Sequence, residues 1–151
     1  MTEPRPGDRP RTSTEGPHRQ VDQQAPAAVW AELAERVFLL DGVVEGVSQV
    51  SPASSRAVYF AEGLEELTPE TSLAPGGRLE PVHLHGAEDT SLHLVLPCER
   101  GAELARLGWA EPHQYGDHGT EVMVYGPRDG DELEVVLSIV DESLSFARSG
   151  R

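Results

Sequence analysis

Two alternating runs between Glu80 and Leu96 constrain the fold of this chain more than any other feature. Val82 and Leu84 interleave with His83 and His85, and Leu92, Leu94 and Leu96 interleave with Ser91 and His93. Period-two patterning marks half-buried strands, one face apolar and the other polar. Pro97 stops the second run, and a short polar stretch separates the two, so the pair predicts a hairpin whose leucine face enters a core. A three-residue loop, Ala87-Glu88-Asp89, sets His83 opposite His93 and His85 opposite Ser91. A four-residue loop sends His93 to the other side, because a one-residue slip flips every side chain. Both lengths are ordinary for hairpins, so the register stays open.

The remaining elements follow from the same reading. Val29, Trp30, Leu33, Val37 and Leu40 recur at helical spacing after Pro26, a residue suited to a first helical turn, and Asp41-Gly42 ends that helix. Val43–Val50 and Ala57–Ala61 read as strands, and the Pro- and Gly-bearing stretch 62–78 as irregular connection. Glu99–Leu107 reads as a short helix capped by Gly108, Trp109–His113 as a compact loop, and Glu121–Tyr125 as a strand. Asp129 and Glu132 have capping-box spacing ahead of a helix striped by Leu133, Val136, Leu137, Val140 and Leu144. Strands interrupted by few helices predict an α+β fold: a small, mainly antiparallel sheet with helices packed on one face.

Residues 1–24 are rich in Pro, Gly, Ser, Thr and Gln, with Val21 the one apolar residue after Met1. They offer too little apolar surface to offset ordering, which predicts a disordered tail before a single domain over 25–148. All twelve basic residues are arginine, and the formal net charge is −14. Such a chain repels phosphate backbones and anionic lipid, which argues against nucleic-acid and membrane-surface partners. No stretch approaches the roughly 20 apolar residues of a membrane span, and no leader-like apolar run occurs. The single Cys98 cannot form an internal disulfide, in keeping with a cytoplasmic setting, and it reads as a packed thiol. Oligomeric state is not legible.

Chemistry concentrates where the histidines do. Five of six fall between His83 and His118, and the segment His83–His93 holds three imidazoles, two carboxylates and two hydroxyls. Imidazole binds metals and moves protons near neutral pH. One reading is a metal site: Gly77-x5-His83-x-His85 followed by Glu88 or Asp89 resembles the first half of the cupin metal-binding motif. The second half is missing, so no metal ligand and no cofactor is assigned. The preferred reading is a metal-free polar pocket in which His83, His85 and His93 do acid–base work on a small-molecule ligand. A non-catalytic protein-interaction module is the rival from another class, and half-exposed strand histidines are the simplest alternative. No nucleophile elbow, P-loop or dinucleotide fingerprint is present. Arg128 either grips an anion or pairs with Glu132 one turn on, the second being the more frequent outcome.

The order His83-Leu84-His85, Asp89-Thr90-Ser91-Leu92-His93, Gly108-Trp109-Ala110-Glu111-Pro112-His113 and Tyr125-Gly126-Pro127-Arg128-Asp129 resembles the luciferase-like domain shared by fungal luciferases and small actinobacterial proteins. The resemblance covers roughly residues 28–147, thinly before Leu79. It implies flavin-free, cofactor-independent oxidation of a small oxygen-rich or aromatic molecule by molecular oxygen. The matching positions are His83, His85 and His93 as catalytic candidates, with Ser91, Trp109, His113 and Arg128 as substrate-binding ones. The lysine-free composition suits a high-GC actinobacterial source.

Overall fold

The computed structural model describes residues 1–113 and 119–150. Helix α1 (Ala27–Phe38) leads into β1 (Val43–Val47) and β2 (Arg56–Phe60). After an irregular stretch come β3 (Val82–Leu84), β4 (Leu92–Val95), α2 (Cys98–Arg106), β5 (Ala110–Pro112), β6 (Glu121–Val124) and α3 (Gly130–Ser149). The six strands form one sheet in the order β1-β2-β3-β4-β6-β5, every neighbouring pair antiparallel. The expected α+β architecture is therefore the one found.

Alternation divides the sheet into two faces. Val58, Phe60, Val82, Leu84, Leu92, Leu94, Val122 and Val124 share one face and form a single buried cluster with Leu33, Ala34 and Val37 of α1 and Leu133, Val136, Ile139, Val140 and Leu144 of α3. Close-packed apolar contact of this kind supplies most of a domain's stability. Helix α3 starts as its sequence indicates: the Asp129 side chain accepts the Glu132 N–H, capping an otherwise orphaned donor. It ends at Gly150, whose φ of 72° is the left-handed conformation a side chain would resist.

Three local expectations differ. Trp109–His113 is not wholly loop: Ala110–Pro112 pairs with β6 as an edge strand, a place where proline is tolerated and where three residues are too few to show a period. Cys98 is exposed at the start of α2 rather than packed. Residues 1–24, expected to be a disordered tail, are held against the domain, the stretch 2–9 along α2 and its C-terminal turn and the stretch 12–20 over the polar face of the sheet, with Arg5, His18 and Gln20 buried. Hydrogen bonds hold this strap where apolar burial is scarce. Arg5 N donates to Leu107 O, Gly126 N to Gln20 Oε1, and Thr90 N to Gln24 Oε1. Counting apolar residues registers none of these bonds.

Candidate functional site

The hairpin register is the three-residue-loop alternative. Val82 faces Leu94, His83 faces His93 and Leu84 faces Leu92, while His85 N donates to Ser91 O. His83, His85 and His93 therefore emerge together on the face opposite the leucines. His113 follows β5 and reaches the same place from the far side of β6, and His18 descends on it from the strap. Ring centroids of His85 and His113 each lie 4.6 Å from that of His93, with His83 at 5.2 Å and His18 at 5.5 Å. His93 is the hub of five imidazoles. His118, counted in the cluster from sequence, lies outside the described residues.

Carboxylates fix the outer nitrogens of these rings. Glu80 Oε2 lies 3.0 Å from His83 Nδ1, and His83 Nε2 lies 3.2 Å from His93 Nδ1. Asp89 Oδ2 and Ser91 Oγ each lie 3.0 Å from His85 Nδ1, and Ser91 Oγ donates to Asp89 Oδ1. Glu111 Oε2 lies 2.7 Å from His18 Nε2, and Glu121 Oε2 lies 3.4 Å from His113 Nε2. Glu80 is the most heavily used. It is fully buried and accepts from Ser48 Oγ, Gln49 N and Nε2, Tyr59 OH and His83. Two ring nitrogens, His18 Nδ1 and His93 Nε2, are buried with no hydrogen-bond partner among the described residues.

The electrostatics follow from burial and these bonds. Burial acts to raise the Glu80 carboxyl, yet the bonds from His83, Gln49 and Ser48 hold it down at about 2. Asp89 is held below the usual carboxylate range by His85 and Ser91, and Glu111 by His18, Tyr125 and Thr12, in both cases against burial. Burial lowers His83, His93 and His113, the last to about 4, and neighbouring imidazoles push His93 well down. Burial beside Glu111 lifts the Tyr125 phenol to about 12. At neutral pH His83, His93 and His113 are thus neutral, beside ionised Glu80, Asp89 and Glu111.

A cavity of about 760 Å³ opens over this cluster. Its wall includes His18, Arg19, His83, His85, Asp89, His93, His113 and Glu121, together with residues 50–52 and 54–55 from the connection between β1 and β2. Two of the seven candidate residues stand elsewhere. Trp109 is buried in the apolar cluster, its indole N–H donating to Glu3 O. Arg128 forms a two-pronged pair with Glu132, as its spacing suggested, and also donates to Pro6 O, pinning the strap to α3. Ser91 touches the site through His85.

Sequence reasoning missed His18, Glu80, Glu111 and Glu121. His18 sits in a segment whose composition signals disorder. Glu80 is three residues from His83, an odd spacing that strict alternation assigns to opposite faces; Pro81 breaks the alternation and lets the carboxylate turn in. No one-dimensional signal marks Glu111 or Glu121 as histidine partners.

Residues 78–143 match the Luciferase domain family model. Luciferases of Armillaria gallica, Armillaria mellea and Neonothopanus nambi are each 34% identical to the chain over 73 residues, covering 44% of this chain and 27% of the relative. The chain thus spans about a quarter of the length of these curated relatives. No solved structure matches significantly. Among the described residues no helix is long and apolar enough to cross a membrane. The matched stretch supplies four of the five clustered histidines and leaves His18 outside it.

Proposed function

We propose that the domain binds a small, oxygen-rich or aromatic molecule in the histidine-lined cavity, with His85 as general base. The observation that carries this reading is the His85 ring: Asp89 and Ser91 hold Nδ1, and Nε2 remains for a ligand in a cavity whose wall His85 forms. A carboxylate that fixes one nitrogen orients the ring and stabilises the cation formed when the other takes a proton. Loss of that proton from an acidic hydroxyl leaves an enolate or phenolate, an electron-rich form that molecular oxygen oxidises. Arg19, whose guanidinium has no hydrogen bond to another described residue, takes the anion-binding role that the sequence offered Arg128 as one of two alternatives. His83, held by Glu80, and His93, bonded to His83, form the rear wall. A volume of about 760 Å³ falls within the range of small-molecule sites. The likeness to fungal luciferases supports an oxidised organic ligand, and the lone cysteine supports a cytoplasmic setting.

Calorimetric titration with hydroxypyrones and polyphenols, with dissolved oxygen followed in parallel, tests the proposal. Wild-type protein should bind at least one of the panel and consume oxygen with it. The His85→Gln variant should lower that uptake by about 10²-fold, the size of a lost general base. No binding across the panel, or wild-type uptake by His85→Gln, overturns the reading.

A further inference from the structure

We propose that His18, His93 and His113 form a binding site for a divalent transition-metal ion of the zinc class, open on its cavity side. One ring nitrogen from each of the three lies within 4.8 Å of the other two. Glu111 occupies His18 Nε2 and His83 faces His93 Nδ1, so the nitrogens left to converge are His18 Nδ1 and His93 Nε2. Both are buried with no hydrogen-bond partner among the described residues. Buried polar atoms are rarely left that way, because each forfeits its bond to water without replacement. A metal ion satisfies both at once.

The surroundings match what such a site requires. Ligating histidines commonly give their second nitrogen to a carboxylate, which fixes the ring and makes the ligating nitrogen more basic. Here Glu111 stands behind His18 at 2.7 Å and Glu121 behind His113 at 3.4 Å, while His93 is backed by His83, itself held by Glu80. Glu111 is further fixed by the Tyr125 hydroxyl at 2.9 Å. These carboxylates offset the charge of a divalent ion. Imidazole-only coordination with three protein ligands suits zinc, cobalt, nickel or copper and leaves room for a water or ligand oxygen. Metal–nitrogen bonds of about 2.0–2.1 Å set donors roughly 3.4 Å apart, so no pair has to close by more than about 1.4 Å from a separation of at most 4.8 Å, within reach of side-chain rotation.

The group His83, His85 and His93 meets the same distance criterion. It is less apt: Glu80 holds His83 Nδ1 and His93 Nδ1 faces His83 Nε2, so both ring nitrogens of His83 are already engaged. Sequence did not point to this group, because the chain places His18 and His113 ninety-five positions apart with no ligand spacing between them. The inference is independent of any organic ligand, so its test uses the metal alone.

Tag-free full-length protein, stripped with chelator, is titrated with Co²⁺ and followed by visible absorption, with zinc competition and elemental analysis after dialysis. The expected result is one equivalent bound, with the intense d–d bands of a four- or five-coordinate nitrogen site. His18→Ala and His113→Ala should weaken binding by at least about 10²-fold, and Glu111→Gln, which keeps all three ligands, by about 10-fold. His85→Ala should keep both stoichiometry and spectrum. Circular dichroism establishes that each variant is folded; if an alanine variant is not, Glu111→Gln carries the comparison. Negligible binding by the wild type overturns the proposal. So does loss of binding in His85→Ala with retention in His18→Ala, which moves the ion to the other histidine group.

Discussion

Glu80→Gln should expose how much of this domain's stability rests on one buried charge. The carboxylate has no exposed surface and receives five donors from the β1–β2 connection, β2 and β3. Its pKa falls from an ordinary 4.5 to about 2. A folded-state pKa below the unfolded one means that the folded protein prefers the ionised form. Stability from this group is therefore complete above about 4.5 and is lost as pH falls toward 2. The shift is worth roughly 3 kcal/mol at pH 7 and roughly 1.5 kcal/mol at pH 3. Glutamine keeps the shape but replaces an acceptor oxygen with a donor NH₂ that faces donors, so the full amount should be lost. With a urea m-value of about 2 kcal/mol/M, the midpoint at pH 7 should fall by about 1.5 M. Urea titrations of both proteins at pH 7, 5, 4 and 3 should show the gap closing with acid. A difference below about 1 kcal/mol at neutral pH, or one that stays constant down to pH 3, refutes an ionised Glu80 as the hub.

Three further outcomes follow from particular contacts. A Cβ at Gly126 would meet Thr90 O at 2.7 Å, and Thr90 is tethered by Gln24 and Ala25; Gly126→Ala should cost roughly 2 kcal/mol and lower Tm by about 4–8 °C in a calorimetric scan. An unchanged Tm would mean that the strap yields freely. Asp129→Ala removes the acceptor for the Glu132 N–H and should cost about 1 kcal/mol, with Asp129→Asn recovering most of it on the same scan. Trypsin sites at Arg11 and Arg19 fall within the strap; they should be cut far more slowly in native protein than in urea, and cleavage at the unfolded rate would restore the free tail.

Patterns of period two and 3.6 carried most of the fold. Leu92, Leu94, Val82 and Leu84 announce their strands, and the stripe from Leu133 to Leu144 announces α3, because burial on one face imposes its spacing on the sequence itself. The same alternation placed His83, His85 and His93 together on the outer face once a register was chosen. That choice belonged to the tertiary structure, since both loop lengths are chemically ordinary and only packing of the leucine face against α1 and α3 selects between them. Trp109 and Arg128 looked like site residues by position in a motif, yet one fills the core and the other clamps the strap. His18, Glu80, Glu111 and Glu121 were invisible for the converse reason. Their partnerships join points far apart in the chain or across a proline-broken alternation, through hydrogen bonds that leave no periodic trace in sequence. Apolar burial is cumulative and repetitive and so can be read along a chain; a polar site is a meeting of single residues, and only the folded backbone decides who meets.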